Sequence, residues 1–248
     1  MLTRPMLKAL LFLANAAKLG PLLKSGGTMI LSVGAYALVF GLWYAVGFVL
    51  LILVHELGHY VAARRVGLNV GLPTFIPFLG AWIELKEQPM SVSQEAYVAF
   101  AGPFLGTVGA TATLWLAGHY ESPLLLALAY AGFFINLFNL IPVTPFDGGR
   151  IVAILSPRVW LLGLPILLGV FILIPSPMFL VILLLLAPTM WRSLKDVWHG
   201  RTPNHNPHYY EVPREARIRY GAYYVLLLAY LCVMTFEVHE RLSSMIVA

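Results

Sequence analysis

The chain has 248 residues, of which 60% are hydrophobic and only 11% charged, with a formal net charge of +5. Long apolar runs recur throughout, which excludes a soluble domain and points to a multi-pass membrane protein. The single cysteine, Cys232, lies in an apolar run and excludes an intrachain disulfide framework.

Residues 1–27 read as a basic, amphipathic arm on the membrane surface. Arg4 and Lys8 precede a short apolar patch, no small-residue cleavage site follows clearly, and Lys18 and Lys24 interrupt what comes next. Apolar runs long enough to cross a bilayer, or nearly so, follow at about 28–44, 45–63, 94–118, 124–141, 159–174, 178–191 and 220–236. Pro175 and Pro177 split the fifth and sixth into short pieces, which fit two crossings or a re-entrant hairpin. The expected fold is an all-α polytopic membrane protein of about six or seven transmembrane helices, with a short re-entrant β-like loop after the second. A membrane-embedded unit is expected at 28–191 with its core at about 43–150, then an irregular cytoplasmic loop at 192–219, and a last helix with a short tail at 220–248.

Placing the N-terminus in the cytoplasm puts 15 of the 16 lysines and arginines on that side and leaves only Arg241 outside. The positive-inside rule selects this orientation. The basic balance then reflects anchoring to the lipid bilayer, and no nucleic-acid partner is expected. Small size and the lack of a targeting extension point to a bacterial plasma membrane. The oligomeric state is not legible.

The second run ends in "VLLILVHELGHY", with His55, Glu56 and His59 embedded in aliphatic sequence. On a helix, residues four apart share a face, so both imidazoles can chelate one zinc ion, and Glu56 lies beside them where a base can take a proton from an attacking water. Ionisable groups at such depth are costly and persist mainly where they have partners or a function. Arg64 and Arg65 mark the interface, which sets the pair about 7 to 14 Å inside the cytoplasmic boundary at ~1.5 Å per residue.

Two histidines leave a catalytic zinc one protein ligand short. The candidate third is Asp147 in "NLFNLIPVTPFDGGR", where Pro142 and Pro145 end the fourth run on the same side of the membrane as His59. A competing reading makes Asp147 the cap of the next helix, with Gly148 and Gly149 as turn residues. Glu84, Glu87 and Glu95 are rival carboxylates but read better as solvated or interfacial charges. His199, His205 and His208 could form a metal tract, yet no carboxylate or cysteine at ligand spacing accompanies them, so a solvated loop is the simpler reading.

With HELGH in an apolar helix and "NLIPVTPFDGG" two spans later, the chain resembles the site-2 protease family of intramembrane zinc metalloproteases. The resemblance covers roughly Trp43 to Arg150. It implies that His55, His59 and Asp147 ligate one zinc ion, that Glu56 activates water, and that Asn139 helps to hold the substrate or the developing oxyanion. The substrate it implies is a transmembrane protein cut in or near its membrane segment. Two departures stand out: Phe146 replaces a usual leucine, and "AGPFLGTVGA" has Gly106 where many relatives carry asparagine, so that asparagine's polar contact is expected to be missing. Gly102, Gly106, Gly109 and Ala110 still form a small-residue face suited to close helix packing.

A helical peptide bond is shielded, so such a protease must unwind its substrate. The stretch "GLPTFIPFLGAWIEL", broken by Pro73, Pro77 and Gly80 and strand-like from Ala81 to Leu85, could re-enter the membrane and offer a strand edge; a loop that merely covers the site is the alternative. Two rival functions are weighed. An HExxH protease of another fold would need a ligand-bearing glutamate on a later helix, and a zinc-binding transporter or scaffold would show polar spans or an internal repeat. The sequence shows neither.

Overall fold

The computed structural model describes residues 4–84, 89–173, 176–201, 204, 206 and 208–247. Leu85, Lys86, Glu87, Ile174, Pro175 and His205, which enter the sequence reading, lie outside them.

Helix α1 (Arg4–Phe40) runs through Pro21, so arm and first span are one helix. Gly41, at φ 84, breaks the chain before α2 (Leu42–Arg65), a few residues earlier than the apolar pattern suggested. A two-stranded hairpin follows, β1 (Thr74–Ile76) and β2 (Gly80–Trp82). Helix α3 (Val92–His119) starts at Ser91, whose side chain accepts from the Gln94 N–H while Gln94 Oε1 accepts from the Met90 N–H, so donors of the first turn are satisfied locally. Helix α4 (Pro123–Asn139) starts in the same way, with Ser122 as cap and Pro123 at the first position. Short α5 (Asp147–Val152), a 3-10 turn at Pro157–Leu162, α6 (Gly163–Leu173), α7 (Pro177–Trp198) and α8 (Arg214–Val247) complete the order.

Among the described residues four helical stretches are long and apolar enough to cross a membrane: Gly20–Phe40, Leu42–Arg65, Val92–His119 and Arg214–Met245. Pro123–Asn139 and Pro157–Leu173 are shorter. At ~1.5 Å per residue, a 17-residue α4 is about 26 Å long, a little under a ~30 Å hydrocarbon core.

The packing that positions the site is between α2, α3 and α4. It depends on missing side chains: a Cβ on Gly58 would lie 2.2 Å from the Ala101 carbonyl oxygen, so α2 and α3 touch backbone to backbone. In a bilayer, where apolar burial gives helices little reason to associate, such close approach is a main source of cohesion. Gly109 meets Val54, and Gly132 of α4 meets Ala110, so the small-residue face of α3 packs against both neighbours.

The hairpin is held by α1. Ser25 Oγ donates to the Pro73 carbonyl at 2.6 Å, Thr28 Oγ1 accepts from the Phe75 N–H at 3.2 Å, and Tyr36 Oη accepts from the Phe78 N–H at 3.1 Å. The last contact anchors a strained residue, since Phe78 sits at φ 65 where glycine is favoured. Because the Phe75 N–H turns away from β2, the alternation of an antiparallel ladder turns the backbone of its partner Ala81 to the opposite, outer edge. The outer edge of β1 is thus occupied by α1, whereas the outer edge of β2 is on the side away from it. The strand expected at Ala81–Leu85 is shorter and begins a residue earlier. Its partner, Thr74–Ile76, was not foreseen because three residues between prolines carry no readable alternation.

Candidate metal centre

Donor atoms from α2 and α5 converge on a single point, with partners from α3 and α4 behind them. One turn of α2 separates His55 from His59, and their Nε2 atoms lie 3.1 Å apart. Asp147 opens α5, and its Oδ2 lies 3.1 Å from His55 Nε2 and 3.2 Å from His59 Nε2. The three atoms form a nearly equilateral triangle. Ligands at ~2.0–2.1 Å in a tetrahedral zinc site are about 3.3 Å apart, so the triangle has the size of one face of such a site.

The outer hydrogen-bond partners fix which nitrogen of each imidazole faces the triangle. His59 Nδ1 lies 2.8 Å from the Val98 carbonyl, which can only accept, so Nδ1 carries the hydrogen. His55 Nδ1 lies 2.8 Å from Asn136 Oδ1. The Asn136 amide nitrogen donates to the Gly132 carbonyl at 2.7 Å, so its oxygen must face the imidazole, and Nδ1 of His55 also carries the hydrogen. In neutral imidazoles both Nε2 lone pairs then point at each other and at a carboxylate oxygen. Such an arrangement is repulsive until a cation stands among the three, and it is the arrangement that outer partners of metal-ligating histidines produce. His55, His59 and Asp147 therefore fit a zinc ion, and they are the cluster with metal-ligating geometry among the described residues.

The loop that delivers Asp147 is fixed from two sides. Tyr224 Oη of α8 donates to the Leu140 carbonyl at 2.7 Å, and Trp160 Nε1 donates to the Gly149 carbonyl at 2.8 Å. A Cβ on Gly148 would meet Leu140 O at 2.1 Å, so the chain can fold back over the start of α5 only with glycine there. Asp147 turns its carboxylate to the histidines, and the cap position of α5, Phe146, makes no side-chain cap; the capping role weighed for Asp147 is not what the geometry shows.

Glu56 is buried at 6% exposure and has no hydrogen-bond partner among the described residues. A largely buried carboxylate that no protein donor engages is suited to take up a proton. Asn139 is half-buried, and its amide donates back to the Ile135 carbonyl at 3.0 Å.

The rival groups fall elsewhere. Glu84 is exposed. Glu95 accepts from Tyr209 Oη and lies 3.7 Å from Arg150 Nε, tying the segment before α8 to α3 and α5. Burial, and then the neighbouring Glu95 carboxylate, push the Tyr209 phenol far above its ordinary range, so it stays a donor. His199 bonds to the Lys195 carbonyl and His208 to Glu211.

Asn136 and the Val98 carbonyl were missed in the sequence. The carbonyl leaves no sequence signal, but Asn136 did: an amide within the apolar "FFINLFN" needs a partner, and Gly106 marks an expected asparagine that is absent. The contact expected to be missing is not a hole. A Cβ on Gly106 would lie 2.2 Å from Asn136 Oδ1, so the Asn136 amide of α4 fills that space.

Residues 43–123 match the model of Peptidase family M50. The chain is 37% identical over 134 residues to Rip3 of Mycobacterium tuberculosis, which is named as a zinc metalloprotease, covering 49% of this chain and 34% of that protein. It is 31% identical over 126 residues to the zinc metalloprotease MJ0392 of Methanocaldococcus jannaschii, covering 47% and 36%. The alignments thus span about a third of the length of these relatives. A solved site-2 protease from M. jannaschii overlays loosely, with a TM-score of 0.44, 19% identity, and coverage of 75% of this chain and 88% of that one. The family match contains the HExxH helix and stops short of Asp147, which the geometry supplies. Over residues 43–123, therefore, the chain is similar to peptidase family M50, and the relatives it matches are named as zinc metalloproteases.

Proposed function

We propose that this protein is an intramembrane zinc metalloprotease that hydrolyses peptide bonds in or near the transmembrane segments of membrane-protein substrates. The observation that carries the reading is the donor triangle with a buried, unpartnered glutamate in the same helix.

His55, His59 and Asp147 would hold the zinc ion, one per chain, which supplies a Lewis acid for the scissile carbonyl and lowers the pKa of water towards ~7. Glu56 takes the proton of the attacking water and returns it to the leaving amine. Val98 and the buried faces of α3 and α4 keep the imidazoles oriented and most water out. Asn139 lies half-buried near the end of α4, where release of its bond to Ile135 would free an amide for the substrate or the developing oxyanion.

The substrate must arrive unwound, and the outer edge of β2 suits an extended strand, because β2 lies against α2 and α1 has already taken the edge of β1. In this reading the hairpin re-enters the membrane, six or seven segments cross or enter it, the N-terminus is cytoplasmic, and the catalytic unit comprises about residues 43–150. The site then lies in the cytoplasmic leaflet.

Glu56→Gln separates this from a zinc-binding scaffold or transporter. Cleavage of a co-expressed single-span substrate should vanish while zinc content is kept; cleavage that persists with zinc bound contradicts the role of Glu56.

A further inference from the structure

The Asn136 amide is fully enclosed, at 1% exposure, and spends both its ends. Its nitrogen is tied to Gly132 in its own helix and its oxygen to His55 in another. It can stand there for one reason. On the facing helix α3, residue 106 has no side chain, and an ideal Cβ there would fall 2.2 Å from Oδ1, 2.7 Å from Nδ2 and 2.8 Å from Cγ. These distances are well inside ordinary contact, so any side chain at 106 and the amide at 136 exclude one another.

We infer that Asn136 is the positioning residue for the metal ligand His55, and that Gly106 is the residue that admits it, so the two positions act as one unit that sets metal affinity. The inference rests on the metal reading of the site. Its physical content is the tautomer. With Oδ1 in place, the imidazole hydrogen is held on Nδ1 and the lone pair on Nε2 faces Asp147 and His59. Without it, the hydrogen can move to Nε2, the ring can turn, and His55 competes poorly as a ligand. The companion ligand His59 is oriented by a backbone carbonyl that no substitution removes, so of the two hydrogen-bond partners of the imidazoles Asn136 is the one that a substitution can take away.

The test measures zinc affinity of the full chain in detergent by competition with a chromophoric chelator, alongside apparent melting temperatures of the zinc-stripped forms. Removing an outer partner of a metal ligand typically costs 10–100-fold in affinity, and Asn136→Leu should fall in that range. Gly106→Ala, which keeps Asn136 but drives its amide away, should weaken zinc in the same way. The decisive form is Gly106→Ala combined with Asn136→Ala. If the glycine matters only by admitting the amide, the double variant loses no more than Asn136→Ala alone, whereas independent effects would multiply. A merely structural role would lower the melting temperature of the stripped protein and leave affinity unchanged. Wild-type affinity in Asn136→Leu, or multiplying losses in the double variant, overturns the inference. His55→Ala marks the boundary with the metal reading: if it keeps zinc like the wild type, that reading fails first.

Discussion

A methyl group at residue 102 tests the site geometry with little chemical change. On Gly102 a Cβ would lie 2.2 Å from His59 Nε2, 2.3 Å from Cε1 and 2.7 Å from Cδ2. Carbon contacts are comfortable at about 3.5–4.0 Å, so the ring must retreat by roughly 1 Å. Zinc sites tolerate about ±0.2 Å at a ligand. Separating α2 from α3 gives no relief without opening the contact of Gly58 with Ala101, and overpacking of this kind costs about 1–3 kcal/mol. Gly102→Ala should therefore weaken zinc binding by more than 100-fold, which is about 2.7 kcal/mol, and abolish cleavage. Chelator competition measures the first. Gly118→Ala, on the same helix with nothing within 4 Å of the new methyl, is the control and should bind zinc normally. Wild-type affinity in Gly102→Ala would refute the placement of His59.

Other substitutions separate support from chemistry. Ala81→Pro removes an outward N–H from β2 without touching the ladder to β1, and should lower cleavage with zinc content unchanged; unaltered cleavage would argue against substrate pairing at that edge. Tyr224→Phe leaves the Leu140 carbonyl unpaired and should cost about 1–3 kcal/mol, read as a lower apparent melting temperature, with zinc affinity within a few-fold of wild type. An unchanged melting temperature would show that α8 does not secure the loop before Asp147.

The parts of the site that follow a local rule were legible. HELGH states its own geometry, because four residues make one helical turn, and the charge pattern put the Asp147 end of α4 on the same side as His59. What was hidden is long-range. Asn136 reaches His55 across 81 positions, and its importance depends on a side chain that Gly106 lacks. The hairpin was half legible: Ala81 and Trp82 read as strand, but Thr74–Ile76 is ordered by Ser25, Thr28 and Tyr36 of a helix some fifty residues away, whose polar groups read as unremarkable in sequence. Continuity of α1 through Pro21 is a case where a local signal for a break was overridden.

The account stands most directly on one measurement, the zinc content per chain of the purified protein and of its His55→Ala, His59→Ala, Asp147→Ala and Glu56→Gln variants after dialysis against a weak chelator. One zinc per chain in the wild type and in Glu56→Gln, with loss in each of the three ligand variants, is the predicted result. Zinc retained by Asp147→Ala, or lost from Glu56→Gln, would contradict it.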